Sequence, residues 1–161
     1  MENIIIFGAK YLIYVLLLAA AVVVFKMDKE NKKKFLVFAV ITLPVAYVLA
    51  KISSLVYYDP RPFVVGNFSP LIFHVADNGF PSDHTLLSAT VAATVCFFNK
   101  KAGVALFVLA ALVGGARVLA GVHHVADIVG SMVIAIVVSY FIYEFVLPSI
   151  LQSGLYRKLQ K

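Results

Sequence analysis

Apolar runs long enough to cross a lipid bilayer recur along the whole sequence, and no other feature constrains the fold as much. A hydrocarbon core of roughly 30 Å needs about 20 apolar residues in a helix, and within it every backbone N–H and C=O must find a partner inside the protein. Five segments can be drawn: Ile4–Phe25, Phe35–Tyr57, Thr85–Phe98, Ala102–Ala120 and Val125–Leu147. The third has only 14 residues unless it begins near Pro81. At that length it cannot cross alone, so its first turn is expected below the membrane surface, in a cavity walled by other helices. The segments predict an all-α integral membrane helical bundle of about five to six helices, with residues 1–161 as a single transmembrane domain. Composition agrees: 62% of residues are hydrophobic and 14% charged, too apolar and too sparsely charged for a soluble domain. Ile4–Phe25 lacks the basic leader and small-residue cleavage pattern of a secretory signal, so it is expected to remain as a membrane helix.

Lysine and arginine set the orientation, because cytoplasmic loops are enriched in both. Lys26, Lys29, Lys32, Lys33 and Lys34 fill the first connection, Lys100 and Lys101 the third, and Arg157, Lys158 and Lys161 the tail. With five crossings all of these fall on one side, which predicts a cytoplasmic C-terminus. The net charge of +6 is thereby read as insertion signals and contact with anionic headgroups, with membrane lipids as partners and no nucleic acid. Lys51, Arg61 and Arg117 fall at or near the opposite face and need another explanation. Cys96, the single cysteine, lies in an apolar run and is read as inert packing.

Three polar clusters stand at helix ends on that opposite face: Asp59-Pro60-Arg61-Pro62, Pro81-Ser82-Asp83-His84, and Arg117 with His123 and Asp127. Ionisable residues in membrane helices are costly and usually mark a site. His123 and Asp127 are four apart, so on a helix the carboxylate can orient the imidazole and leave its other nitrogen free as a nucleophile, although such a pair can also be purely structural. Ser82 or Asp83 can cap the third helix, whose free N–H groups then point toward an anion, and His84 could protonate a departing oxygen. Arg61 and Arg117 suit phosphoryl oxygens, and Lys51 adds a point charge. Nucleophile, acid and cations are the requirements of phosphoryl transfer. No carboxylate cluster suited to Mg²⁺ or Ca²⁺ is evident, so neither metal nor cofactor is expected. His74, Asp77 and Asn78, in the long outer connection, could shape the entrance but are read first as solvated loop residues; His124 is read as secondary to His123, and Glu144 as an interfacial anchor.

Arg61-Pro62, Pro81-Ser82-Asp83-His84 and the Arg117, His123, Asp127 set resemble, in order and spacing, the three motifs of the type 2 phosphatidic acid phosphatase superfamily. The wording around Tyr57–Phe63 and Phe80–Thr85 looks most like the undecaprenyl pyrophosphate phosphatase branch associated with bacitracin resistance. The resemblance implies metal-independent hydrolysis through a phosphohistidine on His123, oriented by Asp127, with His84 protonating the leaving group. It also implies phosphate binding by Arg61, Ser82, Arg117 and backbone amides near Asp83. The substrate it implies is undecaprenyl pyrophosphate, cleaved on the outer face of a bacterial-type cytoplasmic membrane to recycle a cell-wall lipid carrier. A diacyl lipid phosphate such as phosphatidic acid or phosphatidylglycerophosphate is the alternative substrate, and a small membrane transporter the alternative class.

Three positions depart from the family's usual pattern. Ser54 stands where the first motif usually has lysine, and the nearest lysine, Lys51, lies one helical turn earlier. Asp83 replaces a glycine, and Ala116 replaces a serine before Arg117.

Overall fold

In the computed structural model, residues 1–153 are described. They form α1 (Glu2–Lys10), α2 (Leu12–Phe25), α3 (Lys29–Val56), α4 (Pro62–Val65), α5 (Asp83–Cys96), α6 (Lys100–Leu119) and α7 (Val125–Phe141). A π-helical segment, Ile142–Val146, joins α7 to α8 (Leu147–Gln152). The architecture is an all-helical membrane bundle. By length and apolarity α3, α6 and the continuous stretch Val125–Gln152 can each cross a membrane, and α1 with α2 makes a fourth span if counted together. The basic tail residues Arg157, Lys158 and Lys161 lie outside the described residues.

The first span, drawn in the sequence as one run, bends by 49° between α1 and α2. The break follows Ala9, whose carbonyl accepts a hydrogen bond from Arg117 Nη1 at 3.2 Å, so one donor of a buried guanidinium is satisfied where the helix turns. Helix α3 starts at a conventional cap: Asp28 Oδ1 accepts the N–H groups of Glu30 and Asn31 at 3.1 and 3.0 Å.

Helix α5, 14 residues long, is the centre of the bundle and packs against α2, α3, α6 and α7. Its small side chains Ala89, Ala92 and Ala93 are buried, and Ala110 of α6 faces the same core, which lets backbones approach closely without a large apolar ridge. Thr90 and Thr94 turn their hydroxyls back onto the carbonyls of Leu86 and Val91, so these two polar residues of the buried helix are locally satisfied, whereas the buried Ser88 hydroxyl has no partner among the described residues.

The two ends of the bundle differ in chemistry. At one, beside the Lys26–Lys34 and Lys100–Lys101 connections, fully buried Phe38 packs edge-on against Phe97 and Tyr143 at 5.6 and 5.5 Å, and Phe97 stacks on Tyr143 at 4.1 Å. At the other, the C-termini of α3 and α6 meet the N-termini of α5 and α7 under the connection 57–82. That convergence places the three polar clusters together.

Candidate active site

Between α6 and α7 the chain turns through Gly121, at φ +78°, a conformation that side chains rarely adopt. An added Cβ there would also meet the Phe68 ring at 2.6 Å. The turn delivers His123 to the mouth of the bundle just before α7 begins. Asp127, in the first turn of α7, directs Oδ2 at two donors: His123 Nδ1 at 3.0 Å and the His124 backbone N–H at 2.9 Å. Both side chains are almost fully buried, so the pair is rigid and dry.

The hydrogen bonds determine the tautomer. Arg61 Nη1 lies 3.3 Å from His123 Nε2, and a guanidinium can only donate, so Nε2 is the acceptor and Nδ1 carries the proton to Asp127. Burial pushes the His123 imidazole below its ordinary range, and the charges of Arg117 and Arg61 push the same way against the raising effect of Asp127. These effects favour the neutral ring, whose Nε2 lone pair meets Arg61 at the cavity wall.

Arg61 is 5% exposed and held on three sides. Its Nε donates to Asp77 Oδ1 at 2.6 Å, Nη1 to the Val122 carbonyl at 2.7 Å, and Nη2 to the Asn78 carbonyl at 3.4 Å. Arg117, on the last turn of α6, is 4% exposed, and its Nε has no hydrogen-bond partner. A buried cation with an unused donor beside a cavity is costly unless an anion completes it.

The cavity is about 290 Å³, and Lys51, Arg61, Asp83, His84, Arg117 and His123 all line it. These residues come from α3, α5, α6 and two connections, so six of the eight predicted site residues share one space. Asp127 sits behind His123. Ser82 is fully buried and does not line the cavity. It occupies the N-cap position of α5 without a side-chain cap bond; its Oγ accepts from Thr85 Oγ1 at 3.2 Å instead, so neither Ser82 nor Asp83 caps as the sequence suggested. The departures at positions 51 and 83 meet each other: Lys51 Nζ lies 3.3 Å from both Asp83 carboxylate oxygens.

His74, Asp77 and Asn78 all line the cavity, which favours the entrance-shaping reading over that of solvated loop residues, although Asp77 also stays exposed. Asn78 knots the connection together: its Oδ1 accepts the N–H groups of Asp59 and Phe80, and its Nδ2 donates to the carbonyls of Ser54 and Tyr57. The Arg61 hydrogen bond and charge hold the Asp77 carboxyl below the usual range, outweighing the burial that raises it. The available signal was density: Asp77 and Asn78 are polar residues shortly before Pro81 in a chain with few of them. Among the described residues, no group of three or more His, Cys, Asp or Glu is arranged to hold a metal ion.

An oriented neutral imidazole, a second histidine and two arginines around one cavity can transfer a phosphoryl group. Comparison with known proteins points to the same chemistry. Residues 32–150 match the PAP2 superfamily. Undecaprenyl-diphosphatase BcrC of Bacillus subtilis is 33% identical over 147 residues, covering 90% of this chain and 75% of the relative. The bacitracin transport permease protein BcrC of Bacillus licheniformis is 34% identical over 145 residues, covering 89% and 70%. Among solved structures, Aquifex aeolicus LpxE superposes with a TM-score of 0.65 at 23% identity, covering 89% of this chain and 82% of its own. A PAP2-type phosphatidylglycerolphosphate phosphatase from Bacillus subtilis superposes with a TM-score of 0.56 at 23% identity, covering 89% and 73%. The chain is thus a multi-pass membrane enzyme of the phosphatase type. It belongs to the PAP2 superfamily.

Proposed function

We propose that this enzyme hydrolyses undecaprenyl diphosphate to undecaprenyl phosphate and inorganic phosphate, with His123 as nucleophile. The observation that carries the reading is the Asp127-oriented His123, whose Nε2 faces a cavity bearing two buried arginines. In the first step Nε2 bonds to the terminal phosphorus and the P–O bond to the lipid phosphate breaks, with His84 giving its proton to the departing oxygen. In the second, water attacks the phosphohistidine, His84 takes the water's proton, and the N–P bond breaks to release phosphate. Arg61 and Arg117 stabilise the charge on the transferring oxygens, with Lys51 and the amides near Asp83 as further phosphate-binding groups; Ser82, which the resemblance also implied, stands behind the cavity wall.

The undecaprenyl diphosphate substrate is supported by the name of the Bacillus subtilis relative, at one third identity over most of both chains. We place the site on the extracytoplasmic side of a bacterial-type cytoplasmic membrane, with the C-terminus cytoplasmic, because the lysine-rich connections lie at the other end of the bundle. We also take residues 1–161 as one domain, without proposing an oligomeric state. A phosphatase of diacyl lipid phosphates would use the same chemistry. One relative carries a permease name, but a transport path requires charges through the membrane depth, and here they gather at one end.

The test is phosphate release by detergent-purified protein from undecaprenyl diphosphate and phosphatidic acid side by side, with EDTA present. Preference for the diphosphate is expected. Preference for phosphatidic acid would replace the substrate and keep the mechanism, and release from neither would return the permease reading. A cysteine placed at Asn78 should react with an impermeant thiol reagent from outside the cell, and one at Asn31 should not.

A further inference from the structure

Asp127 has two carboxylate oxygens, and the dyad uses one. Oδ2 accepts from His123 and from the His124 N–H, whereas Oδ1 is buried and has no donor. A buried carboxylate oxygen without a donor is destabilising, and a nearby group with a mobile proton can satisfy it. That group is Asp59, which the catalytic scheme leaves unused. Its side chain is only 14% exposed and reaches the dyad: its Oδ1 lies 3.4 Å from His124 Nδ1, and its carboxyl is within hydrogen-bonding reach of Asp127.

The backbone makes this approach permanent. Asp59 N–H donates to Asn78 Oδ1 at 2.9 Å, its carbonyl accepts the Gly79 N–H at 2.8 Å, and Pro60 pairs with Asn78 in an antiparallel bridge. At Gly79 a Cβ would stand 2.9 Å from Asp127 Oδ2 and 3.1 Å from the Asp59 carbonyl, so only glycine lets the connection lie this close over α7. The ionisable groups facing Asp59 are His123 and His124, from the turn before α7, and Asp127 from α7 itself. The nearest arginine, Arg61, turns its Nε to Asp77 instead.

We propose that Asp59 is a positioning residue that shares one proton with Asp127, donating it to the otherwise unpaired Oδ1 and holding the carboxylate that orients His123. Two carboxyl groups in contact in a partly dry site cannot both ionise readily. Burial first, and the Asp127 charge second, raise the Asp59 carboxyl above its usual range, outweighing the opposing pull of the two histidines. With one proton between them the pair carries one negative charge. His123 then keeps a neutral, nucleophilic ring, and the incoming phosphate meets less repulsion. Loss of the shared proton at higher pH would add a second negative charge beside both.

The experiment compares wild type, Asp59→Asn and Asp59→Ala as full-length protein in detergent. An amide can still donate to Asp127 but cannot lose its proton; alanine can do neither. Asp59→Ala is expected to lower kcat on the order of ten- to a hundredfold, and Asp59→Asn to restore most of that loss. The ratio of Asp59→Asn to wild-type activity should rise with pH, since only the wild type loses its donor; taking the ratio cancels titration of the substrate. Equal impairment by asparagine and alanine, or a ratio flat with pH, would overturn the proposal. A second readout needs no turnover: infrared spectra of wild type near neutral pH should show the carbonyl stretch of a protonated carboxylic acid, absent in Asp59→Asn. Its absence from wild type would also overturn the shared proton, even if Asp59→Ala fails to fold. The activity arm rests on His123 as nucleophile and the infrared arm does not, so a failure of that reading would leave the band in place.

Discussion

The two ends of the bundle handle positive charge in opposite ways. At the lysine-rich end, cations sit on exposed turns, where Lys34 pairs with Glu30 and Lys32 lies over the Phe25 ring, while the interior is a closed aromatic cluster around Phe38. At the other end Arg61 and Arg117 are buried and aimed at a cavity, and one of them keeps an unused donor. Solvated cations cost little and serve orientation; desolvated cations are stable only when hydrogen bonds or a bound anion complete them. Burial, rather than the number of charges, separates the chemical end from the structural one.

Substitutions at the two ends should therefore fail differently. The largest effect is expected from His123→Ala, which removes the nucleophile: phosphate release should fall at least about a thousandfold while the melting temperature stays within a few degrees, and no trapped phosphoenzyme should form. An active variant would break the assignment of chemistry to this end. At the other end Phe38→Ala opens a cavity in the aromatic cluster and should cost about 3 kcal/mol or more of stability, read by thermal or denaturant unfolding, with little change in kcat per folded molecule. Loss of activity in stably folded Phe38→Ala protein would show that the two ends are coupled.

Arg117→Gln should lower kcat/KM on the order of a hundredfold, because a preorganised donor to the transferring phosphoryl group is gone, and Arg117→Lys should recover only part of it. A smaller effect, about fivefold in kcat/KM, is expected from Asp77→Asn, which loosens Arg61 without removing its charge. Its sign with pH follows from the depressed Asp77 carboxyl. In wild type the ion pair persists down through the ordinary carboxylate range and is lost only as the pH falls below it, so the gap between variant and wild type should narrow only at strongly acid pH. A gap that stays constant even below the ordinary carboxylate range would separate Asp77 from Arg61.

The helices were legible because their signal is local. Apolar runs of bilayer length, lysine-rich turns and a short third segment predict α5 and α6 to within two residues, while α3 starts six residues before the drawn Phe35 and the Val125–Gln152 stretch runs five beyond the drawn Leu147. The bend between α1 and α2 was not legible: it accompanies a contact between Ala9 and Arg117, far apart in sequence, and no proline stands near Tyr11 to announce it, Gly8 alone being a weak signal. The polar clusters were visible as residues too costly to leave unexplained in an apolar chain. Their partners were not. The pairing of Lys51 with Asp83 joins two departures that look unrelated in sequence, and the roles of Asp77, Asn78 and Asp59 depend on how residues 57–82 fold over the helix ends.

The sequence by itself determined that this chain is a helical membrane protein and which polar residues gather at one face, because apolar length, periodicity and charge distribution act over one or two turns and need no knowledge of the packing. Only the tertiary structure decided which nitrogen of His123 faces the cavity, which donor of Arg117 is unused, and which oxygen of Asp127 lacks a partner. Those are properties of hydrogen bonds between segments distant along the chain, formed in a site where burial removes water as an alternative partner.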